Sequence, residues 1–127
     1  MTTHLPSALA IVALGALLGG CVANAPTGGP ATTVAVESSA DDCVVDTATV
    51  ESGTVTFAVT NSADRVTEFY LLRDDGVSIV AELEDIAPGS TRDLTVNLEP
   101  GGYVTQCKPG MSGTGLGAAD FTVTETR

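Results

Sequence analysis

Thr54-Val55-Thr56-Phe57-Ala58-Val59-Thr60 sets Val55, Phe57 and Val59 on one side of the backbone and Thr54, Thr56, Ala58 and Thr60 on the other. Alternation of this kind, rich in β-branched residues, is the pattern of a strand with one face in a core. Asn61-Ser62-Ala63-Asp64 interrupts it with turn-forming residues. Working outward, Val66 to Leu72 predicts the next strand, and Asp74-Asp75-Gly76 a hairpin turn from which Val77 to Leu83 returns. Ala87-Pro88-Gly89-Ser90 is a further turn, and Arg92 to Leu98 alternates again with Leu94, Val96 and Leu98 inward. Glu99-Pro100-Gly101-Gly102 leads into Tyr103 to Cys107, and Asp120 to Thr124 closes the chain with Phe121 and Val123 inward. With Thr33 to Glu37 and a weaker run at Val44 to Val50, the spacing predicts an all-β Greek-key sandwich of about eight strands.

The N-terminus has a different character. Residues 8–18, Ala-Leu-Ala-Ile-Val-Ala-Leu-Gly-Ala-Leu-Leu, form an apolar stretch too short to span a bilayer comfortably and suited to a signal segment. It ends at Leu18-Gly19-Gly20-Cys21, which resembles the lipobox of bacterial lipoproteins. That resemblance implies cleavage before Cys21 and a diacylglyceryl group on its thiol. The segment before the apolar stretch, Met1 to Ser7, departs from the usual pattern in having no Lys or Arg. Pro, Gly and Thr dominate the residues after Cys21, a tether composition with no core-forming pattern. The expected organisation is a signal peptide at 1–20, a lipid-anchored linker at 21–32 and one domain at 33–127. The expected location is the outer face of the cell membrane, in the periplasm or cell envelope.

All 16 acidic and all 5 basic residues follow Cys21, so the anchored domain carries the whole net charge of −11. Such a surface repels nucleic acid and excludes it as a partner. It attracts cations, and it also serves solubility alone. The only histidine is His4, inside the signal segment. A Ser-His-Asp set is therefore absent, no glycine-rich phosphate loop opens a helix, and the sequence reads as a non-enzyme.

Two segments together resemble the cupredoxins. One is Phe57-Ala58-Val59-Thr60-Asn61 followed, after a break, by Glu68-Phe69-Tyr70-Leu71-Leu72. The other is Pro100-Gly101-Gly102-Tyr103-Val104-Thr105-Gln106-Cys107-Lys108-Pro109-Gly110-Met111. The resemblance implies a ligand loop with Cys107 and Met111 at Cys-x3-Met, and Glu68 about where the family's first histidine stands. A blue-copper centre needs two imidazoles and a thiolate, which this chain cannot supply after His4. Thr67 to Leu72, Val80-Ala81-Glu82-Leu83-Glu84-Asp85-Ile86-Ala87-Pro88-Gly89 and Cys107 to Met111 are similar, more narrowly, to the N-terminal cupredoxin-like domain of the EfeO iron-uptake components. That family carries two cysteines matched by Cys43 and Cys107, and glutamates matched by Glu68, Glu82 and Glu84. Its members continue into a helical imelysin-like domain, and the present chain is read as a stand-alone cupredoxin-like domain without it. The resemblance implies an iron or copper ion as cargo, and an iron permease or a helical iron-binding protein as partner.

The residues with chemistry are therefore Cys43, Glu68, Cys107 and Met111, with Glu82 and Glu84 behind them. Thiolate and thioether are soft donors, whereas carboxylates are hard donors suited to Fe(III) or Cu(II). Two readings stand side by side. Cys43 and Cys107 ligate metal, or they form the disulfide expected outside the cytoplasm and the domain mediates protein contacts in the envelope without metal. Met111 is also read as a packed core or loop residue, Glu68 as a side chain that faces water, Glu82, Glu84 and Asp85 as a solvated face, and Tyr103 as a corner tyrosine that ties a loop through its hydroxyl.

Overall fold

Alternation along the chain builds two sheets that share one core. The structure, a computed structural model, describes residues 31–127. The expected signal segment at 1–20, the expected lipidation site Cys21 and nearly all of the expected linker at 21–32 lie outside the described residues. The strands are β1 (Thr32–Ser38), β2 (Cys43–Val45), β3 (Thr49–Glu51), β4 (Gly53–Asn61), β5 (Thr67–Arg73), β6 (Ile79–Ile86), β7 (Thr91–Leu98), β8 (Gly101–Cys107) and β9 (Leu116–Thr124). One sheet has the order β2-β1-β4-β7 and the other β3-β9-β8-β5-β6. Neighbours are antiparallel except β1 with β4 and β3 with β9, which run parallel.

The ninth strand comes from the run Val44 to Val50, which the sequence suggested as one strand. It divides between the sheets. Asp46 N–H donates to the Ala35 carbonyl at 3.0 Å in the first sheet, and Thr122 N–H donates to the Ala48 carbonyl at 2.8 Å in the second. A weakly alternating segment of this length satisfies its backbone on both sides by crossing from one sheet to the other.

Phe57 of β4, Phe69 of β5 and Phe121 of β9 fill the centre. The Phe57 ring centroid lies 5.3 Å from that of Phe69 and 5.3 Å from that of Phe121, in tilted arrangements favoured by the ring quadrupole. Val34, Val36, Val55, Val59, Leu71, Ile86 and Leu98 close around them. Buried polar groups are paired: Ser38 and Thr67 hydroxyls meet at 2.8 Å across the two sheets. Asn61, read from sequence as part of a turn, is fully buried. Its amide nitrogen donates to the Arg65 and Ile86 carbonyls, each at 2.8 Å, and its oxygen accepts from Ala63 N–H at 2.9 Å. Tyr103 does tie its corner, donating to the Glu99 carbonyl at 2.8 Å.

Cys43 and Cys107 form a disulfide with a Cα–Cα distance of 5.5 Å. The bond joins β2 of one sheet to β8 of the other and lies within the apolar core. Gly117 makes room for it. A Cβ there would stand 2.5 Å from the Cys43 Cβ, and its φ of +62° is itself a conformation that favours glycine. Strand β9 begins at Leu116, ahead of the run expected from Asp120, and Gly117 lies within it.

Closing a 64-residue separation stabilises the fold by about 4 kcal/mol in the chain-entropy picture. Replacing both cysteines by alanine is expected to remove about that much stability in urea unfolding, with the strands retained by circular dichroism. Gly117→Ala is expected to destabilise by crowding the same bond, and a loss under about 0.5 kcal/mol would contradict the close contact.

Candidate functional site

Strand β5 serves two surfaces. Phe69 and Leu71 enter the core, so Glu68, Tyr70 and Leu72 point to the outer face of the five-stranded sheet. In register, Tyr70 lies beside Glu82 of β6 and Gln106 of β8. The Tyr70 hydroxyl donates to Glu68 Oε2 at 2.5 Å, a charge-assisted bond between residues two apart on one face. Backbone bonds at 2.8 and 3.3 Å pair Glu68 with Lys108, whose ammonium lies 5.8 Å from the Tyr70 ring centroid. That distance is within cation–π reach.

Glu68 is only 5% exposed. A carboxylate so covered needs partners, and the phenol supplies one. The cover comes partly from the segment after β8. Pro109–Met111 forms a single 3-10 turn, whose Gly110 N–H donates to the Val66 carbonyl at 2.8 Å. The Arg65 guanidinium packs on Gly110, where a Cβ would sit 3.3 Å from Cζ. Beside Tyr70 an open groove of about 350 Å³ runs between Leu72, Val77, Ile79, Gln106 and Lys108.

The Tyr70 hydroxyl holds its proton well above the ordinary value of 10.0. The hydrogen bond to Glu68 is the main cause, followed by burial and by the negative charges of Glu68, Glu82 and Glu84. The phenol proton is thus held chiefly by the bond to Glu68, with the charges of Glu82 and Glu84 on β6 adding to it.

The residues singled out from sequence do not form one ligand set. Cys43 and Cys107 are bonded to each other, so neither sulfur is a free thiolate. Cys107 is opposite Phe69 in register and shares its core side, whereas Glu68, one residue away, faces outward with Tyr70. A shift of one position in a strand changes the face, and that separates Glu68 from the cysteine it was grouped with. Met111, the last residue of the 3-10 turn, is 42% exposed. Glu82 and Glu84 stand on the exposed side of β6. Among the described residues no three of His, Cys, Asp and Glu converge in a geometry that holds a metal ion. Tyr70 and Lys108 were not singled out from sequence. The two-residue spacing of Glu68 and Tyr70 on a strand was the available signal, but nothing local marks Lys108 as their neighbour.

No family model matches the chain. Part of it is homologous to the iron uptake system component EfeO, with 38% identity over 65 residues to the proteins of Escherichia coli K12 and of Shigella flexneri. The matched stretch is 51% of this chain and 17% of those relatives, so the chain spans well under a third of their length. Among solved structures, dithionite-reduced auracyanin of Roseiflexus castenholzii superposes with a TM-score of 0.59 at 20% identity. That match covers 76% of this chain and 99% of the other. Auracyanin A of Chloroflexus aurantiacus, a blue copper protein, gives 0.55 at 17% identity over 75% of this chain and all of the other. The nine-stranded sandwich is thus cupredoxin-like, with an EfeO-like region.

Because the folded state raises the Tyr70 pKa, its contribution to stability is complete below pH 10 and is lost as pH rises further. Absorbance titration of phenolate is expected to show one tyrosine that resists ionisation above pH 10. Glu68→Gln should bring that titration back toward 10, and Tyr70→Phe should remove it and flatten the alkaline loss of stability.

Proposed function

We propose that this chain is an extracytoplasmic, lipid-anchored, cupredoxin-like component of an iron-uptake system, a binding protein that meets iron through oxygen donors and not through thiolates. The observation that carries the association with iron is the 38% identity to iron uptake system component EfeO. The anchor rests on the Leu18-Gly19-Gly20-Cys21 sequence, and export accords with a disulfide, which persists in oxidising compartments.

The copper centre of the auracyanin relatives does not fit here. A trigonal blue-copper site takes two imidazoles and a thiolate. The chain has no histidine after His4, and Cys107 is bonded to Cys43. What the outer face offers instead is the Tyr70 phenol bonded to Glu68, with Glu82 beside Tyr70 in register and Glu84 two positions further along β6, oxygens that are not converged and that an incoming ion would have to gather. Phenolate and carboxylate are hard donors, matched to Fe(III). Glu82 and Glu84 are exposed and free to swing, so ferric iron would be taken at an open face as cargo. Binding must displace the Tyr70 proton, and affinity therefore rises with pH. A permease or a helical iron-binding protein would be the recipient.

A second reading keeps the envelope location and dispenses with metal. Its support is the disulfide, which occupies both sulfurs. Titration with ferric nitrilotriacetate separates the two. On the iron reading, the full chain develops a visible phenolate-to-Fe(III) absorption band that Tyr70→Phe abolishes and that Glu82→Gln weakens. Replacing Cys43 and Cys107 together should leave the band in place. Absence of any band from the folded protein would leave the metal-free contact reading.

A further inference from the structure

Five large apolar side chains are exposed among the described residues, and three of them fall in four consecutive positions: Val77 at 79%, Ile79 at 54% and Val80 at 36%. They stand where the chain returns from the β5–β6 hairpin, beside the groove lined by Tyr70 and Leu72. An apolar cluster on an otherwise polar monomer marks a contact surface more often than chance exposure does.

The cluster is held in a fixed shape. Asp75 Oδ1 accepts from Val77 N–H at 2.8 Å and Ser78 N–H at 2.7 Å, and Oδ2 accepts from the Ser78 hydroxyl at 2.6 Å. Arg73 N–H donates to the Ser78 carbonyl at 2.8 Å, and Gly76 N–H to the Arg73 carbonyl at 2.9 Å. The Ser78 bonds, chiefly, hold the Asp75 carboxyl down to about 2, so it stays charged through the physiological range. A partner would meet an ordered tip, without the loss of freedom that ordering a loose loop entails.

The edge is unsuited to strand addition. Leu71 pairs with Ala81 and Leu72 with Ile79, leaving Val80 as a bulge in β6, the outermost strand. Bulges twist an edge away from further pairing. Recognition here must therefore use side chains. The charge around the cluster says which. Asp74, Asp75, Glu82 and Glu84 are all exposed there. Against them stand Arg73 and Lys108, the latter drawn over the Tyr70 ring. A second copy with net charge −11 would be repelled, as would an anionic bilayer surface.

We propose that the face formed by Val77, Ile79, Val80, Tyr70 and Leu72 docks a protein segment that presents an apolar side chain between lysines or arginines. The apolar group enters the groove, and the basic flanks meet Asp74, Asp75 and Glu82. This surface shares Tyr70 and Glu82 with the ferric reading, but docking on it needs no metal.

The test is amide chemical-shift mapping on the full chain carrying Cys21→Ser, in metal-free buffer. The probe is the peptide acetyl-Lys-Leu-Lys-Val-Lys-amide, with acetyl-Lys-Ser-Lys-Ser-Lys-amide as the charge-matched control. Saturable shifts confined to residues 70–84 and 106–108 are expected. Binding should weaken about tenfold with the control peptide and about tenfold in Val77→Ser/Ile79→Ser, whose own spectrum reports its fold. Equal binding of the two peptides, no binding, or shifts spread over the β1-β4-β7 face would overturn the proposal. So would matching shifts with phosphatidylglycerol vesicles, since the occupant would then be a membrane. Iron is left out, so failure here leaves the ferric reading intact, and a missing ferric band leaves this one intact.

Discussion

The bond between Cys43 and Cys107 decides both how the sandwich is closed and which chemistry is left to it. Two stacked sheets are otherwise held by apolar contact, which is non-directional and tolerates sliding. A covalent link from β2 to β8 fixes one end of that contact. The strands near it are arranged accordingly: Gly117 admits β9 past Cys43, and the Ser38–Thr67 hydroxyl pair ties the two sheets a second time. The bond also removes the two cysteine sulfurs among the described residues from metal chemistry.

With the interior so occupied, chemistry moves to the other side of the same sheet. Strand β5 carries Phe69 and Leu71 into the core and Glu68 and Tyr70 to the outer face. Packing on one side thus positions the Glu68–Tyr70 pair on the other, which is how a rigid scaffold holds a polar pair in fixed geometry. The neighbouring strands finish the surface. Strand β8 and the turn after it bring Lys108, and β6 brings Glu82, Glu84 and the exposed valine and isoleucine side chains. One face therefore carries the Glu68–Tyr70 pair directly beside an apolar tip with exposed acidic neighbours.

The likeness to auracyanin is a likeness of architecture. A fold hosts many activities, and the activity belongs to the site. Here the segment after β8 is a 3-10 turn, with Gly110 admitting the Arg65 guanidinium. Cys107, at the end of β8, is half of a cross-sheet bond.

Much of the architecture was legible locally. The alternation of Val55, Phe57 and Val59 defines a strand and its buried face, and Asp75-Gly76 and Glu99-Pro100 mark breaks between strands. Such features depend on residues within a few positions of one another, so sequence alone determines them. The absence of histidine after His4 likewise excluded a blue-copper centre without any coordinates. Three matters were decided only by tertiary structure. Val44 to Val50 divides between sheets because β1 and β9 each offer it a free edge. Cys43 bonds Cys107 because folding brings their Cα atoms to 5.5 Å, where ligation and bonding had been open alternatives. Glu68 parts from Cys107 and joins Tyr70 and Lys108 because side-chain direction alternates with each residue, and the register of β5 against β8 sets which residues meet. Register is a relation between distant segments, and no local pattern contains it.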